Sequence, residues 1–250
     1  MSRRIAASRW GGVAVGALVA YLAMSSEALG RGVLLAAPLF AVCVLLGVVL
    51  GELSVRAPDG AVRHAALEVR RVRDYLPGGL SRAVAAAVCW LTGLLLATTA
   101  AGSADDLGRA GRSLFRQCGA ISSESRGPWA GSFYTAPLAM ALLLGVALTV
   151  VALRRIVQRP RPADVTGRSA RDDVSRQRAA EAVVGACGVM ITVPLIGVSS
   201  VTAIGLLGIS CRPSWWTVTG WVLAAAVPLW LTLLAWSASA ILPARSARSQ

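Results

Sequence analysis

Long apolar runs alternate with short arginine-rich segments along this chain. About 20 apolar residues at a rise of about 1.5 Å per residue cross the hydrocarbon core of a membrane as a helix. Lipid offers no hydrogen-bond partner, so a single spanning segment must satisfy its own backbone, and only a helix does so. Six apolar segments stand out, at 11–25, 33–51, 83–102, 135–153, 181–209 and 215–242. The pattern therefore predicts an all-α polytopic helix bundle, with a single transmembrane domain over residues 1–250.

The distribution of arginine predicts how the bundle is oriented. Membrane proteins carry an excess of Lys and Arg in their cytoplasmic loops. With the N-terminus inside, 19 arginines lie on the cytoplasmic side and 6 on the other side. This favours six transmembrane helices with both termini in the cytoplasm, in a bacterial plasma membrane. A second interpretation stays open for the first run, which has the outline of a signal peptide; cleavage near Ala28 would leave five spans.

Composition agrees with a membrane protein and argues against a nucleic-acid-binding one. The chain is 56% hydrophobic, its mean hydropathy is +0.64, and only 15% of its residues are charged. Its net charge of +13 comes from arginines that flank the apolar runs. Membrane topology explains that charge without a nucleic-acid partner. The partners it predicts are the lipid bilayer and its anionic head groups.

Two loops have the pattern of amphipathic helices. In the outer 102–134 loop, Ser103 and Asp106 have the spacing of a capping box, and apolar residues follow at helical intervals. We expect a helix there, lying on the membrane interface. In the cytoplasmic segment 61–76, apolar residues form one helical stripe and arginines lie on other faces. These arginines would contact anionic lipid or a cytoplasmic partner; they are Arg63, Arg70, Arg71 and Arg73.

The predicted topology divides the five cysteines by compartment. Cys43, Cys89 and Cys187 lie within spans, where a thiol behaves as a small apolar side chain. Only Cys118 and Cys211 fall in outer loops, on the side of the membrane where disulfides persist. We therefore predict a Cys118–Cys211 disulfide that ties the long outer loop to the loop between the fifth and sixth spans.

The inventory of reactive side chains argues against catalysis. His64 is the only histidine, and the apolar bodies of the spans hold no ionisable residue of the kind that ion-coupled transport needs. No cofactor and no metal ion are expected. The strongest candidate for a small polar cavity is the stretch 192–202, because Pro194 frees a backbone carbonyl and neighbouring small residues leave a gap. Its other members are Gly197, Ser199 and Ser200.

Several spacings in the chain predict packing rather than chemistry. Gly12 with Gly16, and Gly47 with Gly51, give two GxxxG patterns suited to close helix contact. A second capping-box spacing, Ser169 with Asp172, predicts that the fifth helix starts in the cytoplasm and continues unbroken into the membrane.

The segments VRDYLPGGL, DDLGRAGRSL, RGPWAGSFYTAPLA and RRIVQRPRPA carry a family resemblance. Through them the chain resembles uncharacterised multi-span integral membrane proteins of GC-rich actinobacteria. The resemblance implies six helices in the plasma membrane and no activity. The leading hypothesis is a non-catalytic accessory or scaffold subunit of a membrane complex. The alternatives are a permease subunit whose 61–76 helix couples to a cytoplasmic ATPase, and, less favoured, an intramembrane enzyme.

Overall fold

The computed structural model describes residues 3–26, 29–53, 75–158 and 168–241. Six helices and one short β-hairpin make up this part of the chain. The helices are α1 (Arg3–Ser25), α2 (Arg31–Leu53), α3 (Gly78–Ala101), α4 (Ser132–Gln158), α5 (Arg168–Gly208) and α6 (Ser214–Ile241). The strands are β1 (Leu114–Gln117) and β2 (Ser123–Arg126), which precede α4. Within the described residues, every predicted apolar segment coincides with one of these helices to within one residue at its end, so the all-α bundle is confirmed.

Five of these helices are long and apolar enough to cross a membrane, and α1 contains a shorter apolar stretch, Trp10–Ser25. On α6, Trp215 and Trp236 are largely exposed and lie about 32 Å apart along the helix axis. This separation matches a hydrocarbon core of about 30 Å with an aromatic residue at each interface. The protein is therefore embedded in a membrane, while the number of crossings and the orientation stay predictions.

The central element of the bundle is α5, which packs against α2, α3, α4 and α6. Within its apolar window 72% of the residues are buried, whereas the other four long helices bury 22–39% of theirs. Leu138 of α4 and Met190 and Leu195 of α5 are completely buried in the main core. As predicted, α5 begins at Arg168, next to Ser169, and continues without a break to Gly208.

The two glycine patterns bring α1 and α2 into close contact. A Cβ atom added to Gly12 would lie 3.0 Å from the Cα of Gly47, and one added to Gly47 would lie 2.8 Å from the carbonyl oxygen of Ser8. The Ser8 hydroxyl donates to the Gly47 carbonyl oxygen at 2.7 Å. The predicted close packing is therefore confirmed for Gly12 and Gly47, since neither position has room for a side chain.

Leu29 and Gly30 before α2 lie together with the connections 102–131 and 209–213 at one end of the bundle, here called the loop end. The Tyr134 hydroxyl at the start of α4 donates to the Leu29 carbonyl oxygen between α1 and α2, at 2.8 Å. Glu124 of β2 accepts the N–H of Ser210 after α5, at 2.8 Å. Successive helices therefore alternate in direction, as an up-and-down bundle requires.

The predicted amphipathic helix in the 102–134 loop is wrong. Residues 103–131 form turns and the antiparallel hairpin β1–β2, in which Leu114 pairs with Arg126 and Gln117 with Ser123. Gly108 and Gly111 adopt φ values of 74° and 73°, a left-handed conformation that a right-handed helix does not contain. Helical spacing of apolar residues was a misleading signal here, because these two glycines interrupt it.

Candidate functional site

Asp105 organises the first part of the loop. Its carboxylate accepts the backbone N–H groups of Leu107 at 3.1 Å and Arg109 at 2.9 Å. The side chains of Arg109 and Arg112 also donate to it, each at 2.8 Å. Desolvation raises the pKa of Asp105, but the hydrogen bonds and charge of Arg109 and the Leu107 N–H outweigh it and hold the pKa below 3.8. These local bonds compete with helix formation, which is a second reason for the irregular loop.

The disulfide between Cys118 and Cys211 is present, which confirms the predicted bond. It joins the end of β1 to the α5–α6 connection, with the two Cα atoms 5.5 Å apart. The Glu124 carboxylate lies close enough to both sulfurs for the three side chains to resemble a metal site. Because the disulfide consumes both thiols, Glu124 acts instead as the acceptor for Ser210 N–H. The hairpin is thus attached to the α5–α6 connection by one covalent bond and one hydrogen bond.

Trp129 lies beneath the hairpin and closes the loop end of the bundle. Only 2% of its surface is exposed, and its indole N–H donates to the Thr98 carbonyl oxygen near the end of α3 at 2.8 Å. A Cβ atom on Gly205 would lie 2.9 Å from the Trp129 ring, so only glycine leaves room for the indole on α5. Leu114 and Ile209 complete this buried cluster.

A cavity of about 310 Å³ lies below Trp129, between the start of α2 and α5. On α5 it is lined by Pro194, Gly197, Val198 and Val201, which follow one another at helical intervals on a single face. Trp129 and Tyr134 line the part of the cavity nearest the loop end. It is partly open on the side of Leu29 and Val33, whose side chains are 46% and 63% exposed. These two exposed side chains place this wall of the cavity at the outside of the bundle.

The residues predicted to form a small polar cavity divide between two faces of α5. Pro194 and Gly197 line the cavity, but Ser199 and Ser200 do not. Ser199 is completely buried, and the Ser200 hydroxyl donates to the Ile196 carbonyl oxygen at 2.8 Å. Each residue turns a helix by about 100°, so Ser199 points away from the face that Pro194 and Gly197 share, whereas Ser200 lies at the side of that face with its hydroxyl bonded within the helix. The cavity is consequently apolar rather than polar.

Two arginines lie around Phe133, at the edge of the cavity nearest the loop end, here called the rim. The Arg31 guanidinium lies 3.7 Å from the centre of the Phe133 ring, and that of Arg112 lies 5.2 Å away. Arg31 Nε–H also donates to the Phe133 carbonyl oxygen at 2.7 Å. Pro137 has no N–H to reach this carbonyl from the next helical turn, so Arg31 supplies the missing donor.

The rim also holds a backbone conformation that is costly without support. Leu29 has a φ of 54°, a left-handed value that residues other than glycine rarely adopt, and Gly30 follows with a φ of 83°. The Tyr134 hydroxyl holds the Leu29 carbonyl in place. The side-chain hydrogen bond with Tyr134 also raises the pKa of Arg112.

One structural arginine was not singled out from the sequence. Arg176, near the start of α5, has only 1% of its surface exposed. Its Nη1 donates to the carbonyl oxygens of Ile156 and Val157 at 3.3 Å each. These carbonyls end α4 and have no partner within the helix, so Arg176 caps it and complements its negative end. Its position seven residues after Ser169 gives no signal of this role, because the partners lie on another helix.

The predicted cytoplasmic helix 61–76 begins in a part of the chain outside the described residues. The four arginines assigned to partner or lipid contact fall there; they are Arg63, Arg70, Arg71 and Arg73.

Comparisons with known proteins return nothing that would assign the chain. No protein family, no curated protein and no solved structure matches it. What the site can do must therefore be argued from its geometry. It offers a fixed surface outside the bundle and an apolar cavity with a cationic rim.

Proposed function

We propose that the protein is a non-catalytic subunit of the bacterial plasma membrane, an accessory or scaffold component of a membrane complex. Its loop end is the surface that binds the neighbouring membrane subunit. The observation that carries this proposal is the hairpin anchored by the Cys118–Cys211 disulfide. It holds exposed apolar side chains in fixed positions, which a freely moving loop would not do.

The exposed apolar residues are those on the outward side of the hairpin and its turns. Phe115 on β1 is 50% exposed and Ile121, between the strands, is completely exposed. Leu107, in the turn that Asp105 organises, is 75% exposed. Large exposed apolar side chains on a rigid surface are typical of protein contacts. Because the disulfide and the Glu124–Ser210 bond fix the hairpin to the α5–α6 connection, a partner that binds there loses little entropy in ordering it.

Two independent arguments support an outward orientation of this surface. The arginine distribution favours a loop end outside the cytoplasm. A disulfide at the same end favours the same side, because thiols stay reduced in the cytosol. The partner would therefore meet the protein on the outer face of the plasma membrane, with both termini inside.

The proposal is tested by affinity purification of the full chain from native membranes in a mild detergent. We expect a second membrane protein in constant proportion, and we expect Phe115→Ala and Ile121→Ala to reduce its recovery several-fold. Ser125→Ala is the matched control, since Ser125 lies opposite Phe115 on β2 and is exposed and polar. Thermal unfolding should be the same for all three variants.

Each other result has a definite meaning. Recovery of the protein alone would overturn the subunit proposal. Equal recovery with all three variants would locate the partner elsewhere than on the hairpin. Recovery of a cytoplasmic ATPase would favour the permease alternative, with 61–76 as its coupling helix.

A further inference from the structure

The cavity below Trp129 lies at the depth of the hydrocarbon core of the membrane. Its lining on α5 extends from Val201, about 10 Å below the helix end at Gly208, for about another 12 Å to Val193. With Gly208 at the level of the head groups, the cavity begins within the hydrocarbon of the leaflet at the loop end, which is about 15 Å thick, and its far end at Val193 reaches the middle of the bilayer. Its volume of about 310 Å³ is at the lower end of the range of small-molecule sites.

The lining excludes a polar occupant. Valine, proline, glycine and leucine form most of the wall, and the wall's own side-chain hydroxyl, that of Tyr134, already donates to Leu29. A polar group inside would lose its hydrogen bonds to water and gain none from these side chains. The partly open side of the cavity lies at Leu29 and Val33, where a flexible hydrocarbon chain has access from the bilayer.

The positive charge at the rim favours a hydrocarbon chain that carries an anionic head group. Within the part of the chain that the structure describes, no carboxylate pairs with Arg31, and its one hydrogen bond, from Nε, goes to the Phe133 carbonyl oxygen. Arg112 on the other side of Phe133 is already paired with Asp105. The remaining Arg31 N–H donors match the fork geometry in which guanidinium groups bind phosphate. Gly30, next to Arg31, and Tyr134, next to Phe133, both line the cavity, so the Arg31–Phe133 contact lies beside its entrance.

We propose that this cavity is a binding site for an anionic phospholipid of the leaflet at the loop end. One acyl chain occupies the space between α2 and α5, and the phosphate pairs with Arg31. The site does not depend on the identity of any protein partner, and it does not depend on which side of the membrane the loop end faces.

The test uses the full chain, purified in a mild detergent and stripped of lipid. Phosphatidylglycerol, phosphatidylcholine, a neutral diacylglycerol and inorganic phosphate are added separately. Native mass spectrometry counts bound molecules, and the midpoint of thermal unfolding measures the stabilisation that a ligand of the folded state must produce. We expect phosphatidylglycerol to bind at one molecule per chain and to raise the midpoint most.

Two variants separate the contribution of the charge from that of the cavity. Arg31→Gln should weaken phosphatidylglycerol binding about tenfold or more, because it removes a charge-assisted bond to the phosphate. Gly197→Leu should abolish it, because a Cβ at Gly197 meets only the Leu34 side chain, at 3.8 Å, and the rest of the new side chain fills the cavity.

Each variant has a matched control at a position away from the cavity. Arg126→Gln removes one charge from an exposed position at the same end, and Gly93→Leu adds the same side chain to α3 where nothing lies within 4 Å. If Gly197→Leu does not fold, Val33→Phe fills the cavity from α2 at a largely exposed position and takes its place.

The proposal would be overturned by any of four results. The first is equal binding of phosphatidylcholine or diacylglycerol, which would mean that the Arg31 charge does not select the lipid. The second is equal stabilisation by inorganic phosphate, which would reduce the site to an anion site without a chain. The third is unchanged binding in Arg31→Gln or in the cavity-filling variant. The fourth is the absence of any lipid bound in constant proportion.

Discussion

Trp129 donates its indole N–H to the carbonyl oxygen of Thr98, and this bond connects the disulfide-linked loop to α3. Replacing Trp129 by Ala should lower the free energy of unfolding by about 3–5 kcal/mol, because a buried indole leaves a large cavity. The matched control is Trp221→Ala on α6, where the ring is 64% exposed. Unfolding of both variants in detergent checks this, and equal destabilisation would contradict the role of Trp129.

The disulfide should be visible on gels and in stability. Without reductant the protein should migrate faster than with it, and Cys118→Ser should abolish the difference. By chain entropy, a bond over a sequence separation of 93 contributes at most about 4–5 kcal/mol, and less here because the membrane already restricts the unfolded chain. Cys89→Ser, which removes a free cysteine from α3, is the control and should change neither measurement.

How far the sequence predicts this fold depends on the environment of each segment. Apolar runs such as 83–102 and 215–242 locate helices within a few residues, because lipid leaves an isolated segment no other way to pair its backbone. In the loop, water and side chains compete for the backbone N–H and C=O groups. The positive φ values of Gly108 and Gly111 and the hydrogen bonds of Asp105 then favour turns over a helix. Periodicity alone is a poor guide there.

The same contrast applies to the site. The Cys118–Cys211 pair follows from the predicted topology, which leaves only these two cysteines in loops at the same end of the bundle. The cavity cannot be predicted from one segment, because its wall combines Gly30, Trp129 and Gly197, which are far apart in the chain. A one-helix argument therefore placed Ser199 beside Gly197 without resolving that a rotation of about 200° separates the two side chains.

Helix α1 should depend on the absence of a side chain at Gly12. Gly12→Leu must displace the backbone of α2, where a Cβ already lies 2.9 Å from the Cys43 carbonyl oxygen. Overpacking of this kind costs about 1–3 kcal/mol. Gly11→Leu is the neighbouring control, with nothing within 4 Å of the added Cβ. Cysteine crosslinking between α1 and α2 should fall for Gly12→Leu alone, and an equal fall for both would contradict the predicted contact.

Arg176 should stabilise the end of α4. Arg176→Gln removes charged hydrogen bonds to the carbonyls of Ile156 and Val157, and losing such bonds costs about 1.5–3 kcal/mol. Arg178→Gln, two residues along α5 and exposed, provides the control at the same net charge. Hydrogen exchange of the last turn of α4 should accelerate only in the first variant. Unchanged exchange would show that the cap does not contribute.

The order of the Asp105 loop should depend on pH. Because the pKa of Asp105 is lowered in the folded state, its stabilising effect is present above 3.8 and is lost as pH falls below this value towards the lowered pKa. Protection of the Leu107 and Arg109 amides from hydrogen exchange should decrease over that window, after correction for intrinsic exchange. Asp105→Asn should reduce the protection at neutral pH, whereas Asp106→Asn, at an exposed position, should not. Protection that is independent of pH would refute the assignment.

The disulfide also has a consequence for how the protein is made. Cys118 precedes α4 and Cys211 follows α5, so the bond closes a ring that contains both helices and the chain between them. In the proposed orientation Cys118 reaches the oxidising side first, and its partner is synthesised 93 residues later. At about 5–20 residues per second, Cys118 waits about 5–20 s as a free thiol. During that interval any oxidant it meets competes with Cys211, so correct oxidation depends on prompt insertion of α5.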